Sequence, residues 1–176
     1  MMAKLTSRRG ITLVELMATV VIIGIVAAMA TPHFDRAIDR IKFRSQTKNL
    51  VSMLRTARSN AIAEKAPYGV VFDFGANTIT MFRDSTNIGS NTYEAGSDSV
   101  ITADTLLVGF SDCSTTFPNS AVVFQPNGSA SSSGDVDLHF ESIKEASDSR
   151  VNVLASTGRS KVMYITNSAV EAMEQY

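Results

Sequence analysis

Residues 11–31, ITLVELMATVVIIGIVAAMAT, constrain this chain more than any other stretch: an apolar run with one formal charge, Glu15. As a helix rising ~1.5 Å per residue it would be roughly 31 Å long, about one hydrocarbon core. A basic segment precedes it, carrying Lys4, Arg8 and Arg9 and ending in Gly10, and Pro32 follows it. The polar sequence beyond keeps helical periodicity to about residue 66. A basic leader, a greasy helix with a buried acid and a long helical continuation read as an anchor that doubles as an assembly rod. This is the layout of a filament subunit rather than an enzyme.

Three readings of the N-terminus compete. A secretory signal peptide would be cut after Ala28-Met29-Ala30, an A-x-A match. A plain anchor would stay uncut. A leader cut between Gly10 and Ile11 would leave the apolar helix on the mature chain. Glu15 discriminates among them, because a carboxylate in an apolar segment is costly and calls for a partner. Cutting at Gly10 creates an α-amino group on Ile11, four residues from Glu15. The two charges can then satisfy each other, within one chain or between neighbours, and avoid the cost of a lone buried charge. Lys4, Arg8 and Arg9 favour a cytoplasmic N-terminus, with the rest of the chain facing outward.

The formal net charge of −1 conceals an asymmetry. The leader carries +3, residues 33–66 carry +5 and residues 67–176 carry −8, Glu15 supplying the balance. A basic stalk under an acidic head could pair with copies of itself or be merely solvated, and screening limits long-range effects to about 8–10 Å. Cys113 is the only cysteine, so no intrachain disulfide can form, and in its Ser/Thr-rich setting it reads as a filler residue.

Along the stalk, Phe34, Ile38 and Ile41 recur at helical spacing, then Leu50, Leu54, Ala57 and Ala61. Ser45, Gln46, Thr47 and Lys48 interrupt the stripe, so the first part is expected to be mostly exposed and the second to pack on the head. Pro32 is the expected kink in a rod over 12–66 of roughly 80 Å. Pro67 should end that rod, since the residue before proline disfavours helical geometry.

Strand-like runs follow at 68–74 and 78–82, joined by Gly75-Ala76-Asn77, a hairpin signal. An exposed polar loop is expected over 84–99. Further strands are expected at 105–110, 121–124, 136–140, 151–155 and 161–165, and a short helix or no regular structure over 167–176. Searches for chemistry come out empty. His33 and His139 are the only histidines and lie far apart, so no metal spacing exists. Asp135, Asp137 and Glu141 alternate with apolar residues as a solvent face would. The acidic loop has no recognisable calcium pattern, and no P-loop, nucleophile elbow or dinucleotide fingerprint appears. No cofactor and no metal is expected.

The motif Gly10-Ile11-Thr12-Leu13-Val14-Glu15-Leu16 with the apolar run after it resembles the type IV pilin and pseudopilin N-terminus. The family more often has Phe or Met where Ile11 stands. Ala57-Arg58-Ser59 with Ala61-Ile62, then Phe124, Pro126 and Gly128, and finally Gly158-Arg159, are similar to the GspH/FimT minor pilins and pseudopilins. The resemblance implies an α+β fold of type IV pilin kind, a long N-terminal helix packed on antiparallel sheets. It implies domains at 1–10 (cleaved leader), 11–31 (transmembrane and assembly helix), 32–66 (amphipathic stalk) and 67–176 (periplasmic β-rich head).

By the same resemblance, Gly10 and Ile11 flank the cleavage point, Ile11 becomes N-methylated and Glu15 is the assembly glutamate. The expected role is a minor subunit of a type II secretion pseudopilus or type IV pilus, near the tip or initiation complex. Its expected partners are other pilins or pseudopilins through the N-terminal helix, the prepilin peptidase and methyltransferase, an inner-membrane assembly platform and, before assembly, the lipid bilayer. The expected location is the inner membrane, single-pass, then a periplasmic pseudopilus or a pilus. The alternative is a DNA-binding minor pilin used in natural transformation, which would need a basic patch on the head; Arg150, Arg159 and Lys161 in the last hairpin are its candidates.

Overall fold

A computed structural model describes residues 11–85, 87–142, 145–166 and 169–171. One helix, α1, runs Leu13–Glu64. It starts where Thr12 accepts a hydrogen bond on Oγ1 from the Glu15 N–H at 3.2 Å, the Thr-x-x-Glu spacing of a capping box. It stops where Lys65 turns left-handed at φ 51°, just before Pro67, as the proline predicted. Pro32 lies within α1. The chain divides into two compact units, Met1–Ile38 and Asp39–Tyr176.

Among the described residues of the first unit nothing covers the apolar helix. Its large apolar side chains from Ile11 to Met29 are 56–75% exposed, a continuous greasy surface that water does not tolerate alone. Among the described residues no helix is long and apolar enough to cross a membrane. The described apolar stretch of α1, 13–29, is about 25 Å long. The span expected over 11–31 ends on residues 30 and 31, whose side chains lie outside the described residues, as do residues 1–10 altogether.

In the second unit the rest of α1 buries one face against two antiparallel sheets. The first sheet has the order β3-β2-β1-β5 and the second β4-β6-β7-β8-β9. The strands are β1 Tyr68–Asp73, β2 Thr78–Arg83, β3 Ser99–Thr105, β4 Phe110–Thr115, β5 Ala121–Phe124, β6 Gly134–Ser142, β7 Glu145–Leu154, β8 Arg159–Thr166 and β9 Ala169–Glu171. Leu50, Val51, Leu54, Ala57 and Ala61 on the helix share one core with Val70, Phe72, Val122, Phe124, Val136, Leu138, Val151 and Val153 from the sheets. The two alanines, both fully buried, let the strands approach the helix closely.

Three expectations need correction. The polar interruption at 45–48 is not a break in the buried face: Gln46 and Thr47 are buried, and the ring of Phe43 just before them lies about 6 Å from those of Phe110, Phe140 and Tyr164, stacked on the first and edge-on to the last. The buried hydroxyl of Thr47 donates to the Phe43 carbonyl and meets the Ser149 hydroxyl at 3.0 Å, so polarity here is paired rather than solvated. The run 105–110 is not one strand but the connection between β3 and β4. Val108 is 97% exposed there and Gly109 takes φ 108°, which closes the turn. The segment after β8 is neither helical nor irregular in its described part, since Ala169–Glu171 forms β9 on β8; residues 172–176 lie outside the described residues.

Candidate functional site

Two surfaces can do something. The first is the start of α1. Glu15 stands in the first helical turn, where an acid also complements the helix dipole. Sequence reasoning weighed it only as the partner of a new amine. Its backbone engagement with Thr12 is a local role that the Thr-x-x-Glu spacing already carried.

The second surface lies wholly within the larger unit. Between α1 and β8 runs a groove of about 1120 Å³. Lys48, Arg55 and Arg58 line it from the helix and Arg159 and Lys161 from the strand, and among the described residues no carboxylate belongs to its lining. Five cations facing one groove make a local positive field that a net charge of −1 hides. The helical contributors escaped the sequence reading, which took the stalk charges as spread all round the helix. The missed signal was spacing, since positions 48 and 55 lie seven apart and share a face.

One end of the groove is fixed by Arg58, whose Nε donates to the Gly128 carbonyl at 2.9 Å. Gly158 completes the junction: a Cβ there would stand 2.3 Å from the Gly128 oxygen and 3.0 Å from Arg58 Nε. Arg58, Gly128 and Gly158, from three stretches singled out along the sequence, are thus brought together at one point.

Arg150 does not join this group. It makes a two-pronged pair with Asp137 on the neighbouring strand, at 2.7 and 3.0 Å, and that partner raises its pKa. Asp135 accepts from Asn152 at 2.7 Å, and Asp148 pairs with His139. Asp135 and Asp137 of β6 are therefore held in cross-strand pairs. Cys113 is half-buried, its thiol donating to the His139 carbonyl at 3.7 Å, and burial raises its pKa, the opposite of an activated thiol.

The loop expected to be exposed over 84–99 is partly folded inward. Asp98 is buried and accepts from the backbone N–H groups of Ser85 and Glu94, at 3.1 and 2.8 Å. Asp84 is 2% exposed, and neither carboxylate oxygen has a hydrogen-bond partner of normal geometry among the described residues. Burial raises its pKa, against the help of the Gly89 N–H, and the nearby Asp98 and Glu94 charges raise it further. Among the described residues no group of three His, Cys, Asp or Glu side chains could hold a metal ion.

Comparison with known proteins gives this geometry a context. The family described as type II transport protein GspH matches residues 46–158, which hold most of the packed part of α1, the helical wall of the groove and the Arg58–Gly128–Gly158 junction. The prokaryotic N-terminal methylation motif matches residues 5–31. The type IV major pilin protein PilA of Myxococcus xanthus (strain DK1622) is 45% identical over 60 residues, covering 34% of this chain and 27% of that protein. The chain thus spans about a quarter of the length of that curated relative.

Two solved structures share the fold. The minor pseudopilin EpsH from the Type 2 Secretion System of Vibrio cholerae superposes with a TM-score of 0.50 at 12% identity, over 72% of this chain and 98% of that one. The type IV minor pilin FimU of Pseudomonas aeruginosa (strain PAO1) does so with a TM-score of 0.51 at 12% identity, over 74% and 93%. The expected α+β architecture, a helix on antiparallel sheets, is the one found. The family match over most of the head, the methylation motif and the shared fold agree: this chain is a structural protein of the pilin and pseudopilin kind, and it belongs to the GspH family of type II transport proteins.

Proposed function

We propose that the chain is a minor subunit of a type II secretion pseudopilus or a type IV pilus, built in near the tip or initiation complex. One observation carries the reading: the apolar side chains of 11–29 are uncovered within the chain and need lipid or neighbouring helices around them. The chain waits in the inner membrane with its head in the periplasm. Prepilin peptidase cuts between Gly10 and Ile11, and the new Ile11 amine is methylated. The assembly platform then lifts the helix out of lipid into a bundle of other pilins or pseudopilins. There Glu15 neutralises a neighbour's Ile11 amine, because an unpaired carboxylate in that apolar layer would cost several kcal/mol. Pro32 supplies a bend in the rod.

Mass spectrometry of the native protein tests this reading, and the expected first residue is N-methylated Ile11. Glu15→Ala should leave cleavage intact and lower incorporation into fibres at least tenfold. A mature chain that begins at Thr31, or normal incorporation of the variant, would overturn the proposal.

A second reading, a DNA-capturing minor pilin, is favoured by the five-cation groove. Phosphate contacts of that kind would give binding that weakens steeply with salt. A mobility shift at low salt, lost in Arg55→Glu with Arg159→Glu, would support it. No shift at low salt would remove it.

A further inference from the structure

β3 stands at the end of the first sheet, and among the described residues no strand pairs with its far side. Antiparallel ladders alternate between residues that bond across and residues that face away. The Leu106 N–H donates to the Asn77 carbonyl, so Thr105↔Thr78 beside it is a non-hydrogen-bonded pair. Thr105 and, two residues back, Ala103 therefore turn their N–H and C=O groups away from β2. Asp104 covers one of these, its Oδ1 accepting from the Thr105 N–H at 2.9 Å. Its other oxygen accepts from Gln46 on the helix at 3.3 Å. Among the described residues no such bond reaches Ala103.

A shallow groove of about 360 Å³ runs beside this edge, with Ser52 and Met53 of α1 on one side and Thr102, Ala103 and Asp104 on the other. Met81 also lines it. An unpaired edge is a template for another strand, and natural edges are blunted by lysines, prolines or bulges. β3 carries neither Lys nor Pro, and its one bulge, at Ile101, leaves Thr102–Thr105 regular. Val100 and Ile101 are exposed beside that stretch.

Chemistry narrows the occupant. Backbone groups are met by water or by another backbone, and lipid tails offer neither. A polyanion needs cations, and β3 has none. A second copy would bring another head of charge −8 against this one. Asp104 favours a cation opposite it instead.

We propose that the β3 edge takes an extended strand of a different protein by strand addition. The strand runs antiparallel, with an apolar side chain opposite Thr102, resting on Met53 and Met81, and a Lys or Arg opposite Asp104. That it belongs to a neighbouring fibre subunit rests on the function proposed above; the chemistry of the edge does not.

The full chain in detergent micelles, titrated with the end-blocked peptide Thr-Lys-Thr-Val-Thr-Val-Thr, tests this. In antiparallel register from Thr105, the peptide's Lys falls opposite Asp104 and its first Val opposite Thr102. At saturating peptide, hydrogen exchange of the Ala103 amide should slow roughly tenfold or more, with that of Val70 in β1 unchanged. Ala103→Pro removes an N–H that lies outside the β2 ladder. It should abolish binding while Val70 stays as protected as in the wild type. A peptide with its Lys and first Val exchanged should bind about fivefold more weakly. No slowing at Ala103, undiminished binding by Ala103→Pro, or equal binding of the exchanged peptide would overturn the proposal. Slowing without peptide that grows with protein concentration would also overturn it, because the occupant would then be a second copy. No fibre is involved, so failure here leaves cleavage at Gly10 and assembly through Glu15 standing.

Discussion

Arg58 and Gly128 lie 70 positions apart in sequence, yet the guanidinium Nε of one donates to the carbonyl of the other at 2.9 Å. This bond ties the helix to the turn after β5, and Gly158 packs directly on it. At φ 61° with a carbonyl 2.3 Å from where a Cβ would stand, position 158 has neither the conformation nor the space for a side chain. Gly158→Ala should therefore cost about 2 kcal/mol or more, the sum of left-handed strain and a displaced carbonyl. Urea denaturation checks it, as a lower midpoint at unchanged slope. A wild-type midpoint would mean that the junction gives way at little cost.

Thr47 spends its hydroxyl proton on the Phe43 carbonyl, which leaves Ser149 as the donor in the buried bond between helix and sheet. Thr47→Val should strand the Ser149 hydroxyl, itself 2% exposed, and cost about 1–3 kcal/mol. Adding Ser149→Ala should recover part of that loss, since removing both partners leaves no buried polar group without a bond. A double-mutant cycle reads the difference, and strict additivity would count against the pairing.

Leu54 is 1% exposed at the centre of the helical face. Leu54→Ala should cost about 2–5 kcal/mol through lost burial and the cavity left behind. Thermal unfolding followed by circular dichroism measures it. Ile62→Ala, at a position 46% exposed, should cost far less and serves as the control.

Asp84 gives the head a pH dependence. Burial raises its folded-state pKa above the ordinary 3.8. Stability linked to this carboxyl is therefore full below that ordinary value and is lost as pH rises through the folded-state value. Asp84→Asn should raise the melting temperature by a few degrees at pH 7, and the gain should vanish near pH 3, where both states of the wild type are protonated. A lower melting temperature at pH 7 would mean that the charged form holds a favourable contact.

Much of the fold was legible because local chemistry and tertiary need agreed. The first hairpin was readable from β-branched and aromatic runs around Gly75-Ala76-Asn77, and β5 from four apolar residues in a row, all four buried. The run 105–110 misled because Leu106, Leu107 and Val108 look like a strand interior, while only Leu106 is buried and its N–H goes to the Asn77 carbonyl across the sheet edge. The inward turn of Asp84 and Asp98 was equally hidden. An acidic, Ser- and Asn-rich segment reads as solvated, and only the packing of the loop buries its carboxylates.

The sequence by itself determined the character of the N-terminal helix. A long apolar run with one acid, behind a basic segment and a glycine, carries its meaning in covalent order, because a helix converts spacing into a face without help from the rest of the chain. The groove and its junction were decided only by tertiary structure. Lys48, Arg55 and Arg58 meet Arg159 and Lys161 because two sheets fold the last hairpin against the helix, and no local periodicity encodes a neighbour about a hundred residues away.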